Sequence, residues 1–142
     1  MNSDVRLLNE IHKNCITAIN AISGLLKKTE NQKLYDCLFE QMSCYREYAN
    51  KATRMLEQYG CKPKREDFFD KTTLGFTLYV VGGGRLSAHR LSKILINGSV
   101  EGIYDIAGHI NSCTDATPAS RQLAYSLIGA EEENINKMNE FL

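Results

Sequence analysis

The sequence contains no C-x-x-C pair, no excess of charge of either sign and no apolar run long enough to cross a bilayer. Each absence removes a class of function. Seventeen Lys and Arg side chains face seventeen Asp and Glu, so the formal charges cancel. The densest basic run, KPKR from Lys62 to Arg65, is followed at once by Glu66 and Asp67. Nucleic acid or an anionic membrane surface needs a clustered positive field, so neither partner is expected. The five cysteines, Cys15, Cys37, Cys44, Cys61 and Cys113, are odd in number and lack the spacing of a zinc knuckle or a disulfide framework. Four fall inside expected helices, where a thiol serves as a small apolar core residue, and the pattern suits a reducing compartment. The N-terminal stretch MNSDVRLLNEIHKN has no apolar core of signal-peptide type. The most apolar run, Leu74 to Val81, falls far short of the roughly 20 residues a spanning helix needs. A cytoplasmic chain of one domain over residues 1–142 is expected, with no repeat, low-complexity tract or linker to divide it.

What the sequence does contain is helical periodicity and enough apolar content, 43%, for one core. Ser3 or Asp4 can cap a first helix whose apolar steps run Leu8, Ile11, Cys15, Ala18, Ile22 and Leu25, ending near Lys27 and Lys28. Thr29, with Gln32 three residues on, has the form of a capping box for a second helix. Its seam runs Leu34, Leu38, Gln41, Tyr45, Tyr48, Ala52, Met55 and Tyr59. Gly60 and Pro63 stop it. A third helix, from Leu86 to Cys113, organises the chain. It is apolar at Leu91, Leu95, Ile106, Ile110 and Cys113, with Gly98, Gly102 and Gly108 where bulk would be expected. Each glycine costs about 1 kcal/mol against alanine in a helix interior, and close approach by a neighbour would compensate. Thr117 and Pro118 open a fourth helix burying Ala124, Ile128, Glu131, Ile135, Met138 and Leu142. Between the second and third helices, Phe68 to Val81 reads as a short extra helix or, from Phe76, as extended chain. The expected architecture is all-α: an up-down four-helix bundle with two tight hairpins and one long crossover carrying a short extra helix.

Bundles of this kind can hold two metal ions, with a Glu from each of two helices and Glu-x-x-His from each of the others. This chain has no Glu-x-x-His. The two polar residues in its seams give Gln41-x-x-Cys44 and Glu131-x-x-Asn134, and the matching depth offers Cys15, Thr17 and Ala18 on the first helix and Gly98, Ser99 and Gly102 on the third. One carboxylate cannot hold two divalent cations against water. Gln41 and Glu131 are therefore expected to be core polar residues that hydrogen-bond each other or a buried water and set helix register. If a reduced metal site exists, Gln41, Cys44, Glu131 and Glu132 are its candidate ligands.

Other constellations are weaker. Gly82, Gly83 and Gly84 with Arg85, His89 and Arg90 have no strand after them to complete a phosphate-binding unit, so a flexible joint is expected. His12, His89 and His109 lie on different segments, and nothing adjacent to Cys44 in the sequence lowers a thiol pKa. No catalytic and no cofactor-binding residue is assigned.

Three phrases, LLNEI-x-KN at Leu7 to Asn14, I-x-GS-x-x-GI-x-DI at Ile96 to Ile106, and EEENI at Glu131 to Ile135, resemble those of uncharacterised bacterial ferritin-like four-helix proteins, in particular clostridial-type homologues. The resemblance implies a ferritin-like bundle and, through relatives, iron or oxygen chemistry, of whose ligand positions only Glu131 carries over. The expected function is a non-catalytic interaction or structural module without an intact di-iron site and without a cofactor. The alternative is a metal-binding or oxidoreductase protein with a reduced iron or manganese site in the core. The aromatic crossover, at Phe68, Phe69, Phe76 and Tyr79, is the expected contact of a homodimer. The small residues of the third helix leave open a pocket for a small molecule between helices.

Overall fold

A computed structural model describes residues 2–64 and 84–142. Among these residues the secondary structure is helical: α1 (Ser3–Leu26), α2 (Gln32–Glu57), α3 (Ala88–Ser112), α4 (Pro118–Met138) and a final 3-10 turn (Asn139–Phe141). No helix among the described residues is long and apolar enough to cross a membrane. The proposed short helix at Phe68 to Val81, the glycine run through Gly83 and the surface of Phe68, Phe69, Phe76 and Tyr79 lie outside the described residues.

Contacts at the two ends fix the topology. The Tyr59 phenol, just beyond α2, donates to Asp4 Oδ2 at 2.7 Å, and Asp4 Oδ1 accepts from the Thr117 N–H at 2.7 Å. The start of α1, the end of α2 and the α3–α4 turn therefore share one end of the bundle. At the other end, the Leu86 N–H donates to the Lys28 carbonyl at 2.9 Å, and Lys33 Nζ pairs with Glu140 at 3.2 Å. So α2 and α3 run parallel, α1 and α4 run parallel, and the α2-to-α3 connection returns the chain from one end to the other. The order is up-down-down-up, two antiparallel hairpins joined by a crossover.

The helix starts show local chemistry overruling the simplest sequence reading. The cap of α1 is Asn2, whose Oδ1 accepts from the N–H groups of Asp4 at 2.7 Å and Val5 at 3.4 Å, rather than Ser3 or Asp4. The cap of α2 is Asn31, whose Oδ1 accepts from the Leu34 N–H at 3.0 Å, rather than Thr29. Thr29 Oγ1 instead takes the Asn31 N–H at 3.1 Å and tightens the link, and Gln32 reaches forward to Asp36 at 2.7 Å. Ser87 caps α3 through the Arg90 N–H at 3.2 Å. Gly60, at φ +69°, takes the left-handed conformation that ends α2.

The apolar seams meet in one core. Leu8, Ile11, Cys15, Ile22 and Leu25 of α1 are buried, as are Leu91, Leu95, Ile106, Ile110 and Cys113 on and just after α3. On α2 the seam departs from expectation after Tyr45. Ala49 and Leu56 are buried, Tyr48 and Met55 are half-buried, and Tyr59 is 40% exposed. Tyr48 keeps its hydroxyl at the rim, where it meets Ser126 Oγ of α4 at 2.6 Å, and Ala49 turns inward in its place. On α4, Leu123, Leu127 and Asn134 join the core, while Ile128 and Ile135 are half-buried and Leu142 is exposed.

Asp4 holds that end of the bundle together. It is buried, and besides the bonds above it accepts the Thr117 hydroxyl at 2.9 Å, so the Thr117 side chain is committed to α1 and makes no cap bond to α4. Burial opposes ionisation of Asp4, but the donors of Tyr59 and Thr117 help to outweigh it, and the carboxyl is held below its ordinary 3.8. A lowered folded-state pKa contributes stability that is present above 3.8 and lost as pH falls through the folded value. Asp4→Ala should lose about 2–3 kcal/mol in urea unfolding at neutral pH, since it strands buried donors. Asp4→Asn should show a shallower loss of stability than the native chain as the solution is taken below pH 3.8.

Candidate functional site

Midway along the bundle all four helices contribute polar side chains to one point. Glu131 of α4 is 2% exposed, and its Oε2 accepts the phenol proton of Tyr45 from α2 at 2.7 Å. Asn134, one turn along α4, donates its amide to the same phenol oxygen at 3.1 Å. Ser99 of α3 lies near the Glu131 carboxyl, and its hydroxyl favours the charged form. From α1, Asn14 donates to the Gly102 carbonyl of α3 at 3.4 Å.

Gly102 makes the convergence possible. A Cβ there would lie 3.0 Å from Asn14 Nδ2 and 3.2 Å from Glu131 Oε1. The missing side chain is the space those two polar groups occupy. Gly98 and Gly108, expected to mark close approach as well, are exposed, and a Cβ at either would meet nothing within 4 Å. Only one of the three glycines is set by packing.

The electrostatics follow from burial. Desolvation raises the Glu131 carboxyl above its ordinary 4.5, and the hydroxyls of Tyr45 and Ser99 only partly offset it. Tyr45 is pushed up by burial and by the neighbouring carboxyl. Cys15 is pushed up by burial first, then by Glu131 and Cys44. Cys44 moves up by burial and by Glu47 and Glu133. Thiols with raised pKa values are poor nucleophiles at neutral pH.

The sequence-derived candidates separate here. Gln41 is buried but turns its amide to Cys37 Sγ at 3.6 Å, one turn back on α2, while Glu131 takes its bond from Tyr45. Cys44 is half-buried and Glu132 is exposed. Of the four candidate ligands, Glu131 alone stands at the convergence. Among the described residues no group of three or more His, Cys, Asp or Glu is placed to hold a metal ion. One carboxyl surrounded by a phenol, a hydroxyl and amides does not fit the donor set of a two-metal centre. His12 is half-buried with its pKa lowered by burial, His109 pairs with Glu10 at 3.2 Å, and His89 is exposed. An open pocket of about 470 Å³ lies at the Asp4 end, lined by Val5, Asn9, Tyr59 and Lys64 among others, away from Glu131.

Ser99 and Asn134 stand at the depth that the seams mark, whereas the roles of Tyr45 and Asn14 are not legible there. Tyr45 reads as one more apolar step, and its partner on α4 lies 86 residues away. The i, i+3 spacing of Glu131 and Asn134 was the available signal, since it puts both on one helix face. Asn14, Ser99, Gly102 and Glu131 also come from the three phrases that carry the ferritin-like resemblance, and those phrases meet at this point.

No family model and no curated protein matches this sequence. Among solved structures, the crystal structure of a DUF305 fragment from Deinococcus radiodurans matches with a TM-score of 0.75 over 99% of this chain and 95% of that one. At 13% sequence identity the likeness shows a shared all-helical fold and nothing of activity.

Gly102→Ala should destabilise the chain by about 1–3 kcal/mol in chemical unfolding, because the buried, hydrogen-bonded Glu131 has no room to yield. Gly98→Ala and Gly108→Ala should instead stabilise it by up to about 1 kcal/mol each. Tyr45→Phe, which removes the phenol donor from Glu131, should cost about 1–3 kcal/mol in the same measurement.

Proposed function

We propose that this chain is a ferritin-like bundle acting as a non-catalytic interaction or structural module. Its mid-core position, which in metal-carrying bundles of this architecture holds carboxylates and imidazoles, is given over to a hydrogen-bonded network. The observation that carries this reading is the commitment of Glu131. Its carboxyl is taken by the Tyr45 phenol, and the residues around it, Asn14, Gly102 and Asn134, supply amides and space rather than anionic ligands. The up-down-down-up order supports the ferritin-like assignment, as does the convergence of the three resembling phrases. The thiols nearest the network are held protonated by their surroundings, which speaks against nucleophilic chemistry there. Self-association through the connection between α2 and α3 is the interaction this reading names, on the aromatic content of residues 68–79.

Protein purified without chelator and then offered Fe(II), Mn(II) or Zn(II) should retain well under one equivalent by elemental analysis. Its thermal midpoint should move no more with Fe(II) than with Mg(II). Stoichiometric iron with a midpoint rise of several degrees would replace this reading with a reduced metal site at Glu131. For the interaction surface, Phe76→Ser with Tyr79→Ser should lower the apparent mass in solution, and an unchanged mass rejects that surface.

A further inference from the structure

The outer side of α2 carries a stripe that the bundle itself leaves uncovered. Gln32, Asp36, Phe39, Ser43, Arg46 and Asn50 are all exposed, and their alternating steps of four and three place them along one face of the helix. The buried seam of Leu34, Leu38, Gln41 and Tyr45 lies on another face. Phe39 is 50% exposed, and Tyr35, one turn before it, is 38% exposed. Two aromatic rings one turn apart on a helix exterior form an apolar patch of the kind that marks a contact surface. Its polar neighbours are already held against their own helix. Ser43 donates its hydroxyl to the Phe39 carbonyl at 3.2 Å, and Gln32 donates its amide to Asp36 Oδ1 at 2.7 Å. Covering the stripe does not strand those donors.

The order of charges along the stripe says what covers it. The stripe has one acid, Asp36, and one base, Arg46, ten residues or about 15 Å apart along the helix. The point midway between them is also midway between Phe39 and Ser43, and between Gln32 and Asn50. An antiparallel second copy of α2, set across a two-fold axis at that point, brings each Asp36 level with the other copy's Arg46. The same axis brings each Phe39 ring level with a small Ser43 and each Gln32 level with an Asn50. A parallel copy in register sets Asp36 against Asp36, Arg46 against Arg46 and ring against ring. Opposite charges favour the first arrangement and like charges oppose the second. Every pairing in the antiparallel arrangement occurs twice, as a self-complementary two-fold contact requires.

We propose that α2 is the contact of a homodimer in which two copies of this chain pack antiparallel through the stripe, about a two-fold axis level with Gln41. The inference rests on the module reading and gives it a partner, on a surface distinct from residues 68–79. One helix laid on another covers less than the roughly 1,600 Å² of a standard interface. The association is therefore weak and reversible, and the two exposed charge pairs set its orientation more than its strength.

Sedimentation equilibrium tests it. The mass of the native chain should rise from one copy toward two as its concentration approaches about 1 mM, and a mass of one copy throughout would overturn the dimer. Asp36→Arg and Arg46→Asp, made singly, set like charges against each other at both pairs, and each should raise the dissociation constant about tenfold or more. The double variant restores opposite charges and should return the constant to within about threefold of the native value. Phe39→Ser should abolish association. All three residues are exposed, so the variants should keep the helical circular dichroism of the native chain. Single reversals without effect, or a double variant no tighter than the singles, would overturn the stripe. A dimer that survives them and is lost in Phe76→Ser with Tyr79→Ser also overturns it, and leaves the module reading standing. Iron uptake, which would replace the module reading, changes none of these outcomes.

Discussion

A carboxyl carried into the middle of a helical bundle has to be answered by donors from the helices around it, and the fold is built on two such answers. Asp4 is met by Tyr59 and Thr117 at one end, and Glu131 by Tyr45 in the middle. Both tie α4 to helices of the other hairpin. Apolar seams bring four amphipathic helices together, but leucine on leucine tolerates a sliding of one helix past another, whereas a 2.7 Å hydrogen bond does not. The two carboxyls therefore set the register of the two hairpins, while the hydrophobic burial supplies most of the driving force.

The two carboxyls solve the same problem in opposite ways. Asp4 sits at a helix start, with an N–H and two hydroxyls aimed at it, and there the charged form is favoured. Glu131 sits some 14 residues into α4, beyond the reach of any helix end, and its donors do not overcome desolvation. One carboxyl is thereby held toward its charged form and the other toward its neutral form.

Much of the architecture was legible because it is written locally. Three-and-four spacing places Leu91, Leu95, Ile106 and Ile110 in the core, and Gly60 and the Thr117–Pro118 pair mark a helix end and a helix start through the backbone preferences of those residues themselves. The errors share one cause. Asp4 reads as a local cap but accepts from Thr117, more than a hundred residues away, and Asn2 caps α1 in its place. Gln41 and Glu131 were paired on paper because both interrupt seams at mid-depth, yet Gln41 finds Cys37 on its own helix and Glu131 finds a tyrosine counted as apolar. A side chain with both a ring and a hydroxyl serves either role, and periodicity cannot tell which. The glycines teach the same point, since Gly98 and Gly108 face outward while Gly102, alike in sequence context, makes room for two polar groups.

Gly102 also explains how the core takes in polar groups at mid-depth. The notch it leaves is lined on one side by backbone, which offers a carbonyl that an apolar side chain could not satisfy but that Asn14 does, at 3.4 Å. With Asn14 and the Glu131 carboxyl beside that notch, a methyl group in it would lie 3.0 Å from Asn14 Nδ2 and 3.2 Å from Glu131 Oε1 and press both outward. Gly102, Asn14 and Glu131 lie in three separate stretches of the chain, Ile96 to Ile106, Leu7 to Asn14 and Glu131 to Ile135, so the three stretches meet in one packing arrangement.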